Sequence, residues 1–168
     1  MGRTHYKHWH NTGTVGTFGA ATAAAYLLGL NASQTANAIA LSATFAAGLQ
    51  QAFKMDSLAK PLHSGRAAEA GVTAALMAQQ GVISSLDVFE GEVGLGQAMS
   101  NGPDWTHALD DLHTQFNINS MTFKNHACCG HTFAPIDGAL TLQQQHSIKA
   151  EHVDRVIIKI IPDMNNRV

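Results

Sequence analysis

Three short stretches of this chain hold the residue types that could do chemistry. The first is His5-Tyr6-Lys7-His8-Trp9-His10-Asn11-Thr12-Gly13-Thr14. It leads into a helix-like segment, so His10, Thr12 and Thr14 stand where free backbone N–H groups and the helix dipole favour a carboxylate. Gly13, Gly16 and Gly19 then recur every third residue. That spacing is not a dinucleotide fingerprint, and no strand precedes it. A glycine face for close helix contact is the plainer reading, and a solvated N-terminal arm is the plainer reading of His5 and His8. The second stretch is Lys60-Pro61-Leu62-His63-Ser64-Gly65-Arg66-Ala67-Ala68-Glu69. Ser64 can cap a helix there, and Lys60 and Arg66 would bracket its start, two cations beside N–H donors. The plainer alternative leaves Lys60 in solvent and pairs Arg66 with Glu69. The third stretch is Phe123-Lys124-Asn125-His126-Ala127-Cys128-Cys129-Gly130-His131-Thr132. Its His and Cys residues are zinc-ligand types, but the spacing is tight and no second cluster appears. Cys128 could serve as a nucleophile at a helix start. A small buried pair of thiols at a turn is the plainer reading.

Each stretch thus puts a Lys or His at a junction leading into a helix. If the three converge, the pocket offers cations, N–H donors and proton-transfer groups. It suits a substrate with several carboxylates, and clustered cations would lower a lysine's affinity for its proton and let it act as a base.

The elements that must position these residues are mostly helical. Residues 14–28 read as a helix stopped by Gly29. Asn31 or Ser33 can cap a second helix reaching Phe53, with Leu41, Phe45, Leu49 and Phe53 as its buried stripe. A third is expected over residues 64–80, ended by Gly81. The character changes near Ser84, where Gly and Pro accumulate. A short helix is expected around Gln97 and another over residues 105–112. Residues 116–123 alternate like a strand, residues 132–146 return to helix, and residues 153–161 form a β-branched run. The chain therefore reads as mostly α: a helical-bundle segment over residues 1–85, then a partial α+β lid-type domain over residues 86–168, both incomplete.

Composition narrows the function classes. Of 168 residues, 13% are charged and the net charge is −2, well below the roughly 25% charged of an ordinary soluble domain. Covered surface follows as an expectation, and with it a homo-oligomer, expected to be a dimer. No basic block points to nucleic acid. No apolar run of about 18 residues points to a membrane span. The start lacks a secretory h-region, and the two cysteines are neighbours that would not bridge each other, so the cytoplasm is the expected location.

The three stretches resemble the MmgE/PrpD family, which includes 2-methylcitrate dehydratase, cis-aconitate decarboxylase and an iminodisuccinate epimerase. The likeness rests on His10 to Ala21, Lys60 to Gly71, and Lys124 through Cys128, Cys129, Gly130, His131 and Thr132 to Pro135, Ile136 and Asp137, with Leu28 to Asn31 and Phe89 to Gly91 between them. The resemblance implies a helical domain followed by a smaller α+β lid, a homodimer, and a site without metal or organic cofactor. It implies His10, Lys60, Lys124 and His131 as catalytic residues and Thr12 and Arg66 as substrate contacts. It also implies that this is an internal segment of a longer enzyme. After Lys124 the family has Tyr-Pro or Phe-Pro where this chain has His126-Ala127. The expected activity is dehydration of a 2-methylcitrate-like acid by proton abstraction next to a carboxylate. Lys60 or Lys124 would be the base and His10 or His131 the acid. Decarboxylation or epimerisation by a relative, a truncated non-catalytic remnant, and a small metal-binding module on the third stretch are the alternatives.

Overall fold

The computed structural model describes residues 2–55 and 58–159. The described chain is mostly helical: α1 (Gly2–Tyr6), α2 (Asn11–Leu27), α3 (Ala32–Ser42), α4 (Ala59–Gln79), α5 (Leu95–Met99) and α6 (Phe133–His146), joined by turns and short 3₁₀ segments. It divides into two compact units, Met1–Ala108 and Leu109–Arg167. Residues 86–108 belong to the first. Among the described residues no helix is long and apolar enough to cross a membrane.

In the first unit α2, α3 and α4 pack on one another as one layer. Gly29 (φ +65°) and Gly81 (φ +86°) take the left-handed conformation that closes α2 and α4, as helix C-termini often require. Asn31 accepts from the Gln34 backbone N–H at 2.9 Å, and the Gln34 side chain accepts from the Asn31 N–H at 3.1 Å, a reciprocal cap on α3. The buried hydrophobics are nearly all alanines, with Ala25, Ala38, Ala75 and Ala78 forming one cluster. Small side chains let α2 and α4 approach closely. A Cβ added to Gly71 would stand 2.5 Å from Ala20 Cβ and from the Ala21 nitrogen. Behind α2, Phe18, Phe89 and Trp105 stack edge to face at 4.9 and 6.5 Å.

Two boundaries differ from the periodicity. A single helix from Asn31 to Phe53 does not form: α3 ends at Ser42, and 3₁₀ turns at Ala43–Phe45 and Gln50–Phe53 follow. Residues 46–50 leave the helix because their backbone pairs with residues 8–10, through His10 N–H to Gly48 O (2.8 Å) and Gln50 N–H to His8 O (2.9 Å). Leu49, expected in a buried stripe, is exposed. The second difference is α4, which begins at Ala59 rather than Ser64. Pro61 belongs to its first turn, where proline's missing N–H costs nothing. Ser64 caps nothing there, since its hydroxyl donates back to Pro61 O at 2.9 Å.

The second unit is built on α6, which ends at Ser147 in the left-handed conformation (φ +51°). No paired strand forms among the described residues; the one isolated bridge, Trp9 to Leu49, lies in the first unit. Residues 116–123, which alternate like a strand, contain a 3₁₀ turn at Asn117–Ser120. Residues 153–159 run without a ladder partner, and the last two positions of that expected strand lie outside the described residues. A paired strand needs a neighbour to bond its backbone groups, and the described residues of this unit supply none. Residues 105–112 form turns, not a helix.

Candidate functional site

His10 is the residue before α2, in an extended conformation (φ −88°, ψ 114°) that ends the pairing with residues 46–50 and turns the chain into the helix. Its ring does not cap the helix. Instead its Nδ1 lies 2.8 Å from Nδ1 of His63, and its edge meets the Phe53 ring at 4.7 Å between centroids, nearly perpendicular. Lys60 Nζ stands 4.6 Å from the centre of the same Phe53 ring, a cation–π contact. His63 packs against the Gly48 backbone. Because α4 starts at Ala59, Lys60 and His63 sit three residues apart in its first turns and share a face. The two junctions read from sequence thus meet at one place: His10, Lys60 and His63 around Phe53.

Burial pushes the His10 pKa below the ordinary 6.5, helped by the neighbouring His63 and then Lys60. The same causes favour the neutral ring over the charged one. In the first turn of α2 the Gly13 and Thr14 N–H groups donate to His10 O, so the preceding ones, of Asn11 and Thr12, are those that with Lys60 offer a carboxylate both donors and positive charge. Thr12 is exposed on that first turn. Gly13 is required here by size: any Cβ would collide with the Ala47 carbonyl oxygen.

Arg66 is elsewhere engaged. Its guanidinium donates to Glu69 at 2.8 Å on the exposed side of α4, the plainer of the two sequence readings. His63 and Phe53 are the site residues not assigned a role from the sequence, where Phe53 is expected only in a buried helix stripe. The available signal was Pro61, whose preference for a first turn places His63 one turn beyond Lys60.

His5 corrects the expectation of a solvated arm. It is 2% exposed. Its Nδ1 donates to Met99 O at 3.2 Å, so in the neutral ring Nε2 accepts from the Thr14 hydroxyl at 2.8 Å. It braces α1 and α5 against the first turn of α2, just behind His10.

In the second unit the third stretch folds into its own cluster ahead of α6. Lys124 Nζ donates to Cys128 O at 3.1 Å. Cys128 Sγ meets the Thr132 hydroxyl at 3.0 Å, and Cys129 Sγ meets His131 Nδ1 at 3.4 Å. His126 Nε2 pairs with Asp137 at 2.8 Å, its ring edge-on to Phe133. Cys128 is half-buried and Cys129 exposed, so these free thiols are not the buried pair expected. Among the described residues no three His, Cys, Asp or Glu side chains are grouped to hold a metal ion. Lys124 and His131 therefore share one loop, and His10, Thr12, Lys60 and Arg66 lie in the other unit.

Comparison with known proteins adds the ancestry. The chain is 26% identical over 160 residues to cis-aconitate decarboxylase of Homo sapiens, covering 92% of this chain and 33% of that protein. It is 27% identical over 165 residues to the Mus musculus cis-aconitate decarboxylase, covering 94% and 33%. It is 28% identical over 147 residues to the cis-aconitate decarboxylase-like protein oryM of Aspergillus oryzae, covering 83% and 30%. The chain thus spans about a third of the length of the curated relatives it matches. Residues 1–108, which coincide with the first unit, match the MmgE/PrpD N-terminal domain. The chain belongs to the MmgE/PrpD family.

Proposed function

We propose that this chain is part of a lyase-type enzyme that acts on a small polycarboxylic acid without an organic cofactor or metal. The observation that carries the reading is the convergence of His10, His63 and Lys60 at the start of α2. The Lys60 ammonium and the N-terminal amides hold one carboxylate. A histidine held below its ordinary pKa is the stronger donor once charged and returns readily to neutral, which suits His10 to protonating a carbanion or a leaving hydroxyl.

Two reactions fit. In decarboxylation of a cis-aconitate-like acid, a carbon–carbon bond breaks and carbon dioxide leaves. The electron pair spreads into a remaining carboxylate, where Lys60 and the amides stabilise it, and His10 or His131 supplies the proton. In dehydration of a 2-methylcitrate-like acid, Lys60 or Lys124 removes a proton next to a carboxylate, and hydroxide leaves as water with a proton from His10 or His131. The activity named for the relatives favours the first. Thr12 and Arg66 would contact substrate carboxylates, with Arg66 exchanging Glu69 for the ligand. In this reading the second unit belongs to the α+β lid-type domain. The enzyme works as a cytoplasmic homo-oligomer, which the low charge and the two free cysteines support.

The test is a melting curve of the purified chain with cis-aconitate, citrate and 2-methylcitrate. An acid at about 100 times its Kd stabilises the fold by about 2.7 kcal/mol. One acid should raise the melting temperature, Lys60→Ala should abolish that rise, and chelator should not. A cooperative melt that none of the acids moves would overturn the reading.

A further inference from the structure

We infer that His63 is a positioning residue that holds His10 through a one-proton bridge and shares its charge. The bridge is the 2.8 Å contact between the two Nδ1 atoms. Two ring nitrogens at that distance need one N–H and one lone pair between them. Two neutral imidazoles bring two ring protons, one in the bridge and one on an outer Nε2. A third proton can be taken on the other Nε2 with the bridge intact. A fourth cannot, because it removes the lone pair the bridge requires.

The pair therefore carries at most one positive charge while it stands. The surroundings enforce the same limit. Among the described residues Lys60, from the same helix as His63, is the charged group shown to act on the cluster. The other packed elements contribute the Phe53 ring and the Gly48 backbone, neither of which titrates. The consequence is a defined proton cycle. In the singly charged pair, protons sit on His10 Nε2, in the bridge and on His63 Nε2. When His10 gives up its Nε2 proton, the bridging proton settles on His10 Nδ1, and both rings are left neutral. His63 thereby fixes which His10 nitrogen donates and takes up part of the charge. The use of this cycle in catalysis rests on the function proposed above; the bridge does not.

The experiment is nitrogen-15 NMR of the full chain labelled at histidine, followed from roughly pH 8 down to pH 5, the range where histidines titrate. His10 and His63 should titrate together, taking up one proton for two rings with a common midpoint. In His63→Asn the amide can still donate to His10 Nδ1 but cannot carry charge. His10 should then take up its proton alone, at a shifted midpoint, with the Nε2–H form fixed. Two rings that each take up a full proton independently in the unmodified chain would overturn the inference. So would His10 spectra unchanged by His63→Asn, which a merely space-filling His63 would give. The unmodified chain decides the matter even if the variant does not fold. A confirmed bridge in a chain that binds no polycarboxylate would sink the proposed function and leave the bridge standing.

Discussion

His5 and His10 are five positions apart in one histidine-rich stretch, and their surroundings make them different groups. His10 is half-buried and bonded to another titratable ring. His5 is buried against Met99 O and Thr14, and burial is the main cause that holds its pKa below 6.5. A histidine depressed in the folded state binds fewer protons there than in the unfolded chain. Stability is therefore full above pH 6.5, where both states are neutral, and falls as the pH drops from 6.5 through the lower folded pKa. His10 is shifted in the same direction and adds to the effect. The prediction is a melting temperature flat above neutrality that declines on acidification below it. His5→Asn should flatten part of that decline while lowering stability at neutral pH by about 1–3 kcal/mol, since the buried hydrogen bonds of the ring to Met99 O and the Thr14 hydroxyl are lost. A pH profile identical in the variant would rule out His5 as a source. Nothing in the sequence separates these two histidines: a run of His, Tyr, Lys and Trp has no periodicity that marks one ring for the interior, and the residues that bury His5 include Met99, far along the chain.

At the scale of the element, the packing of α2 on α4 was legible and the ends of the helices less so. Repeated Ala and Gly announced close approach, and Gly29 and Gly81 announced the stops. The end of α3 was not legible, because what breaks it is backbone pairing with residues 8–10, a contact that no local propensity records. The start of α4 is ambiguous in the sequence, because Ser64 is a good cap type while Pro61 fits a first turn. The earlier start decides the site, since it brings His63 beside Lys60. Two glycines of α4 separate packing from propensity. At Gly65 an added Cβ meets nothing within 4 Å, whereas at Gly71 it strikes Ala20 and Ala21. Gly65→Ala should gain up to about 1 kcal/mol from helix propensity alone. Gly71→Ala gains the same term but incurs overpacking of about 1–3 kcal/mol, so the net is a loss. Thermal melts should move in opposite directions, by about 2–4 °C per kcal/mol for a chain of this size. Equal shifts in both variants would show that the α2–α4 contact is looser than described.

At the scale of the whole chain, the core is made of small side chains while many large apolar ones face outward. Tyr26 and Leu58 are each 84% exposed, and in the second unit Phe123 is 98% exposed. No described residue of the second unit is buried, and α6 and the segment after it enclose an apolar groove of about 570 Å³ between residues such as Leu142, Val156 and Ile158. Burying one Leu- or Phe-sized side chain stabilises by roughly 1.5–3 kcal/mol, so exposure on this scale leaves a large driving force unused. A single-domain monomer seldom leaves large apolar surface open, and the relatives, about three times as long, have the chain length to cover it. The 13% charged residues leave little repulsion to keep copies apart. The isolated chain should therefore associate with itself. Sedimentation velocity should show a weight-average mass that rises with concentration, and amide exchange should be slow in α2 and α4 but fast throughout the second unit. A monodisperse 17.8 kDa species at raised concentration, with protected amides in both units, would mean that these apolar faces are closed within one copy.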